Sequence, residues 1–151
     1  MLRMIQHLRI LLLKLKTYMS KIINKLVLIL AKYYVCRQAM LFITSILELV
    51  FKQKDVVIFG AMNGNWYGDN AKYIFEYVSA SEKNFEFVWL TKDTGVYRRL
   101  KGQDLPVAYI YSPKGVYYQF TAKVGLYTDS LYDLFISAYL APKRIKLIAL
   151  R

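Results

Sequence analysis

Val56-Val57-Ile58-Phe59-Gly60-Ala61-Met62-Asn63-Gly64-Asn65-Trp66-Tyr67-Gly68-Asp69-Asn70 is the stretch whose reading decides the fold. Four apolar strand formers run into a turn rich in Gly and Asn. A helical pattern then extends from about Asp69 to Ala80, with Asp69 or its neighbour expected to cap it. Strand, turn and helix in that order make the opening of a βαβ unit.

Downstream the texture repeats. Phe85 to Leu90 reads as a second strand, Thr94 to Lys101 as a short helix, and Val107 to Tyr111 as a third strand reached through Pro106. Pro113 to Ala122 reads as helix, Val124 to Tyr127 as strand, Leu131 to Tyr139 as helix and Ile145 to Leu150 as a fifth strand. This alternation predicts an α/β fold built on an open parallel sheet of Rossmann-like type.

In such sheets ligands bind beyond the carboxyl ends of the strands, next to helix N-termini. Asn63, Gly64, Asp69 and Asn70 are therefore expected to line a cleft, with backbone amides facing a phosphate. Asp129, a loop acid, is added to the candidate substrate-binding residues; Asp133 is expected to be an ordinary charge early in a helix. The glycines of the turn follow G-x-x-x-G-x-x-x-G, neither a dinucleotide fingerprint nor a P-loop, so NAD and ATP are unsupported and no cofactor is expected. The same glycines can also be read as no more than positive-φ positions in a tight connection.

Other chemistries lack parts. The one histidine, His7, lies in the N-terminal tail, so a Ser-His-Asp arrangement cannot be assembled in the domain. Cys36, the one cysteine, has no partner for a disulfide or a metal site, and no metal is expected. Tyr73, Phe75, Tyr77, Tyr117, Tyr118, Phe120 and Tyr132 fall in helical stretches, where packing against a sheet explains them better than stacking on nucleic acid.

The net charge of +12 is placed unevenly. Residues 1–45 carry eight basic side chains and no acid; the remainder is only mildly basic. From Leu2 to about Tyr34 apolar residues recur three or four apart. Arg3, Lys14, Lys21, Lys25 and Lys32 fall together on the other side, as in a helix lying on an anionic membrane. A second helical stretch runs from Ala39 to Phe51. Lys25, Lys32 and Arg37 interrupt every window that would otherwise span a bilayer, so a peripheral address is expected. The boundary is placed at the charged group Lys52 to Asp55, giving a basic amphipathic segment over 1–52 and a domain over 53–151.

With the elements in order, Val57-Ile58-Phe59-Gly60, the turn through Tyr67 and Asp69 to Tyr77 resemble the opening of the CDP-glycerol glycerophosphotransferase family. Phe87-Val88-Trp89 resembles its second strand. Tyr111 to Tyr118, Ala122 to Val124 and Tyr127 to Asp129, with Asp133, resemble its next helix, strand and loop. The resemblance implies the N-terminal, acceptor-side half of a two-domain transferase of GT-B type, active in teichoic acid synthesis at the cytoplasmic face of the membrane. It also implies a teichoic-acid-like acceptor and a separate C-terminal half that binds the CDP moiety. The family's Trp-His-Gly motif and its donor domain are not in this sequence, so no catalytic residue is carried over and the chain is expected to be inactive alone. The rival readings are a non-enzymatic module whose basic tail binds a membrane surface or nucleic acid, and a fragment using another nucleotide donor.

Overall fold

The computed structural model describes the backbone of residues 2–150 and the side chains of Tyr18, Met19 and residues 21–150. Helix α1 (Leu2–Val50) is followed by β1 (Val56–Phe59), α2 (Asp69–Ser81), β2 (Glu86–Thr91), α3 (Thr94–Gly102), β3 (Val107–Tyr109), α4 (Pro113–Thr121), β4 (Val124–Tyr127) and β5 (Lys146–Ala149). The five strands form one parallel sheet in the order β3-β2-β1-β4-β5. The expected α/β fold with an open, Rossmann-like parallel sheet is therefore what the chain adopts.

β1 is the middle strand, and all four of its residues are buried. That explains a run of apolar residues without alternation, because a central parallel strand is covered on both faces. One face packs Val57, Phe59, Phe87 and Trp89 against Ala71 and Phe75 of α2 and Val96 and Leu100 of α3. The other packs Val56, Ile58, Val88 and Leu90 against Tyr118 of α4 and against Leu134 and Phe135. Strand order reverses direction between β1 and β4, which makes this the switch point beside which doubly wound sheets commonly bind ligands.

Two sequence expectations are corrected. Leu131 to Tyr139 is not a helix but two single 3₁₀ turns, Leu131–Asp133 and Ala138–Leu140. The hydroxyls of Ser130 and Ser137 accept from the amides of Tyr132 and Tyr139 at 3.2 and 3.4 Å, a local alternative to continuing an α-helix. Of the helical aromatics, Phe75, Tyr118 and Phe120 are buried, but Tyr73, Tyr77 and Tyr132 are exposed. They lie on the outer surface instead of in the core.

The chain divides into two compact units, residues 1–39 and 40–151. In the first, α1 is one uninterrupted helix, as the absence of Pro and Gly before Phe51 permits. Lys21, Lys25 and Lys32 are exposed; the side chains of Arg3, Lys14 and His7 lie outside the described residues. Leu26, Val27, Leu28, Ile29 and Leu30 are all exposed and, being consecutive, surround the helix, so at that level it has no polar face. Lys21–Val50 is long and apolar enough to cross a membrane by length and composition, which the interrupting charges had argued against.

The second unit takes in the last turns of α1 from Met40, ahead of the boundary expected at residues 52–53. Thr44 is buried and its hydroxyl donates to Tyr139 O at 3.2 Å. Arg144 closes the end of the helix: Nη1 donates to Glu48 O at 2.8 Å, and Nη2 donates to Phe51 O and to Phe120 O, the latter at 2.7 Å.

Two tyrosines are tied to carboxylates at the edge of the core. Tyr67 donates to Glu76 at 2.9 Å and Tyr118 donates to Glu86. Burial first, and then the bond to the carboxylate, raises both phenol pKa values well above 10.0. The unfolded chain therefore loses these protons first. Their stabilisation is intact below about pH 10 and is lost as pH rises toward the raised folded values. An alkaline titration followed by tyrosinate absorbance should show Tyr67 and Tyr118 holding back until the fold is lost. Tyr67→Phe and Tyr118→Phe should each remove one of the two.

Candidate functional site

The site is built at the carboxyl ends of β1, β2 and β4. β1 leads into a 3₁₀ turn, Met62–Gly64, in which Asn63 and Gly64 adopt φ of 56° and 80°. Gly64 tolerates its left-handed backbone for lack of a Cβ, and its carbonyl accepts from Thr91 Oγ1 at 2.8 Å and Lys92 N at 2.6 Å. The turn is thereby pinned to the end of β2.

Its other anchor is Asp133. This carboxylate is fully buried. Oδ1 accepts from Asn63 N at 2.5 Å, and Oδ2 from Thr128 N and Asp129 N, each at 2.9 Å. Ser130 Oγ adds a bond to Asn63 Oδ1 at 3.0 Å. Asp133 thus ties together the two loops that flank the switch point, and the expectation of an ordinary early-helix charge is corrected. A Cβ on Gly60 would lie 2.3 Å from Asp133 O, so only glycine lets the strand end approach this closely.

Of the residues proposed from sequence, the structure brings Asn63, Gly64 and Asp129 into this one cluster. The amides of Asn63 and Asp129 point at Asp133. Asn63 and Asp129 are exposed at the switch point, and Gly64 is buried. Asp69 and Asn70 stand at the N-terminus of α2 and are also exposed; among the described residues neither hydrogen-bonds to the Asp133 cluster. Gly68 occupies the N-cap position, and Asp69, at φ 62°, accepts from the amide of Asn70 at 2.8 Å.

Lys92 is the residue the sequence reading missed. It follows β2 directly, and its ammonium donates to Tyr132 O at 2.7 Å, with the Tyr132 ring centroid 5.4 Å away. Burial lowers its pKa, with the Asp133 charge pulling the other way. A cation on the rim between the loops of β1 and β4 is suited to a phosphate oxygen. Its only sequence signal was its place immediately after a strand. Among the described residues no cluster of three or more His, Cys, Asp or Glu is grouped to hold a metal ion.

A doubly wound parallel sheet, its switch-point loops braced by a buried carboxylate and edged by a lysine, defines an α/β protein of the open-sheet class, whose ligand sites lie beyond the strand ends. The family described as CDP-glycerol:poly(glycerophosphate) glycerophosphotransferase matches residues 41–143. The chain belongs to that family. Among solved structures it is similar to the wall teichoic acid polymerase TagF: 18% identity and a TM-score of 0.52 over 70% of this chain for a form soaked with CDPG for 30 minutes. A second structure of TagF gives 18% identity and a TM-score of 0.51 over 76% of this chain. The chain spans 26% and 28% of the length of those two polymerase chains. No curated protein matches it.

Proposed function

We propose that the chain is the acceptor-side part of a glycerophosphotransferase that extends a teichoic-acid-like polymer, held at the cytoplasmic face of the membrane by α1. The observation that carries this reading is the family match over residues 41–143, which coincides with the α/β unit and its switch-point loops. In the complete reaction an acceptor hydroxyl attacks the β-phosphate of CDP-glycerol. The P–O bond to the β-phosphate forms as the bond to CMP breaks, and the hydroxyl proton passes to a general base. The α/β unit offers Asn63, Asp129 and Lys92 at the switch point but no histidine to act as that base. Donor binding and proton transfer are assigned to a separate half that closes over the loops.

Helix α1 supports a peripheral position over a spanning one. Its last turns are taken up by bonds to residues 139–144. That leaves residues 21–39, about 28 Å of helix, with Lys25, Lys32 and Arg37 inside it. Lys32, near the middle of that stretch, would cost about 3 kcal/mol at a bilayer centre, whereas each of these charges near an anionic surface contributes about 1 kcal/mol. Binding to anionic vesicles should therefore weaken with salt. Changing Lys21, Lys25 and Lys32 together to Gln should weaken it roughly a hundredfold. Stronger binding to DNA than to vesicles would favour the nucleic-acid reading instead.

The catalytic part of the proposal is tested by CMP release from CDP-glycerol in the presence of acceptor. The chain alone should release none, and adding a separately produced donor-binding half of a family member should start release. Turnover by the chain alone would overturn the proposal.

A further inference from the structure

A second feature lies away from the switch point. β3 is an edge strand, and along its outer side, between α3 and the N-terminus of α4, runs a groove of about 390 Å³ open to solvent. It is lined by Tyr97, Lys101, Asp104, Tyr109, Ser112 and Lys114, among others. The volume is in the range of ligand-binding clefts.

Its charge is organised. Two lysines, Lys101 and Lys114, and one acid, Asp104, line it, and neither lysine is in an ion pair among the described residues. Instead their ammonium groups are held over aromatic rings, Lys101 at 5.7 Å from the Tyr97 centroid and Lys114 at 5.6 Å from that of Tyr118. Cations laid on ring faces stay partly ordered yet keep their donors for an incoming anion. The rings of Tyr97 and Tyr109, 6.3 Å apart, continue as an aromatic wall to Tyr111. The partial positive charge of the α4 N-terminus adds to the lysines at one end.

Two cations on opposite walls with tyrosine rings beside them match a ligand whose anionic groups alternate with carbon-rich, hydroxylated spacers. An open-sided groove suits a chain lying along it better than a compact molecule sealed inside. We infer that the β3-edge groove binds the acceptor polymer as a secondary subsite, Lys101 and Lys114 pairing with successive phosphodiesters and Tyr97 and Tyr109 stacking on the polyol carbons. The inference rests on the proposed function for the identity of the polymer and adds to it a place where the growing chain is held during extension.

The test is titration of the full chain, isotope-labelled and in a membrane mimetic, with a short phosphodiester-linked glycerol oligomer. Resonances of Tyr97, Lys101, Tyr109 and Lys114 should shift. Binding should weaken about thirtyfold in the double variant Lys101→Gln, Lys114→Gln, with thermal unfolding and vesicle binding unchanged, and Arg at both positions should restore it. Shifts confined to the loops after β1 and β4, no shifts at all, an equal response to uncharged glycerol, or affinity untouched in the double variant would each overturn the groove. CMP release with an added donor half reads the proposed function separately, so the two can fail independently.

Discussion

Asp133→Ala should lower the melting temperature of the α/β unit by about 15 °C, a loss of about 4 kcal/mol. The carboxylate is fully buried and accepts from the amides of Asn63, Thr128 and Asp129. Hydrogen bonds to a charged acceptor contribute more than neutral ones, and alanine leaves these three donors unpaired beneath the loops. Asp133→Asn keeps the volume and one accepting oxygen but turns a donor toward amides that are themselves donors. It should recover no more than about half of the lost stability. Because the same carboxylate joins the two switch-point loops, amide exchange at Asn63 and Asp129 should accelerate more than in the sheet. Unchanged melting in Asp133→Ala would show that the loops hold themselves.

The second large effect is expected at Arg144. Its guanidinium donates to carbonyls of Glu48, Phe51 and Phe120, gathering the end of α1 and the end of α4 at one point. Helix C-termini leave carbonyls without intrahelical partners, and a fork of N–H donors satisfies several at once. Arg144→Ala should cost about 3 kcal/mol, measured by urea unfolding of the 40–151 unit. Arg144→Lys should behave much like the alanine variant, since one ammonium cannot reproduce the fork geometry. Hydrogen exchange should show the loss concentrated in Met40–Val50. A uniform loss across the sheet would contradict a capping role.

How far the fold could be read from residues depended on whether the signal was local. β1, with four apolar residues before a glycine turn, and α4, with Ser112 and Pro113 at its start, carry their own boundaries. The structure follows them closely: Ser112 Oγ accepts from Gly115 N at 3.0 Å as a helix cap should. Leu131 to Tyr139 misled because its apolar spacing is helical while Ser130 and Ser137 offer competing side-chain bonds. Asp133 was legible only in part. An acid enclosed by Leu131, Leu134 and Phe135 is a hint of burial, but Asn63, the partner that joins it to the other loop, lies 70 residues away in sequence. Asn63, Gly64 and Asp129 could be proposed because strand ends are where such sheets bind ligands. Lys92 was missed for want of any motif, and its place on the rim follows from β2 lying beside β1.

The position of β1 also governs how the sheet can be assembled. Its two neighbours are β2 and β4, and on the far side Val57 must find Val124. During synthesis, at roughly 5–20 residues per second, one flank of an apolar strand therefore stays unpaired for several seconds after the strand has emerged. Pairings between distant segments form slowly, and a bare strand flank invites neighbouring chains to add to it. The same centrality that shields β1 in the finished protein makes the nascent chain vulnerable until residue 124 is out, so chaperone demand should fall on that interval.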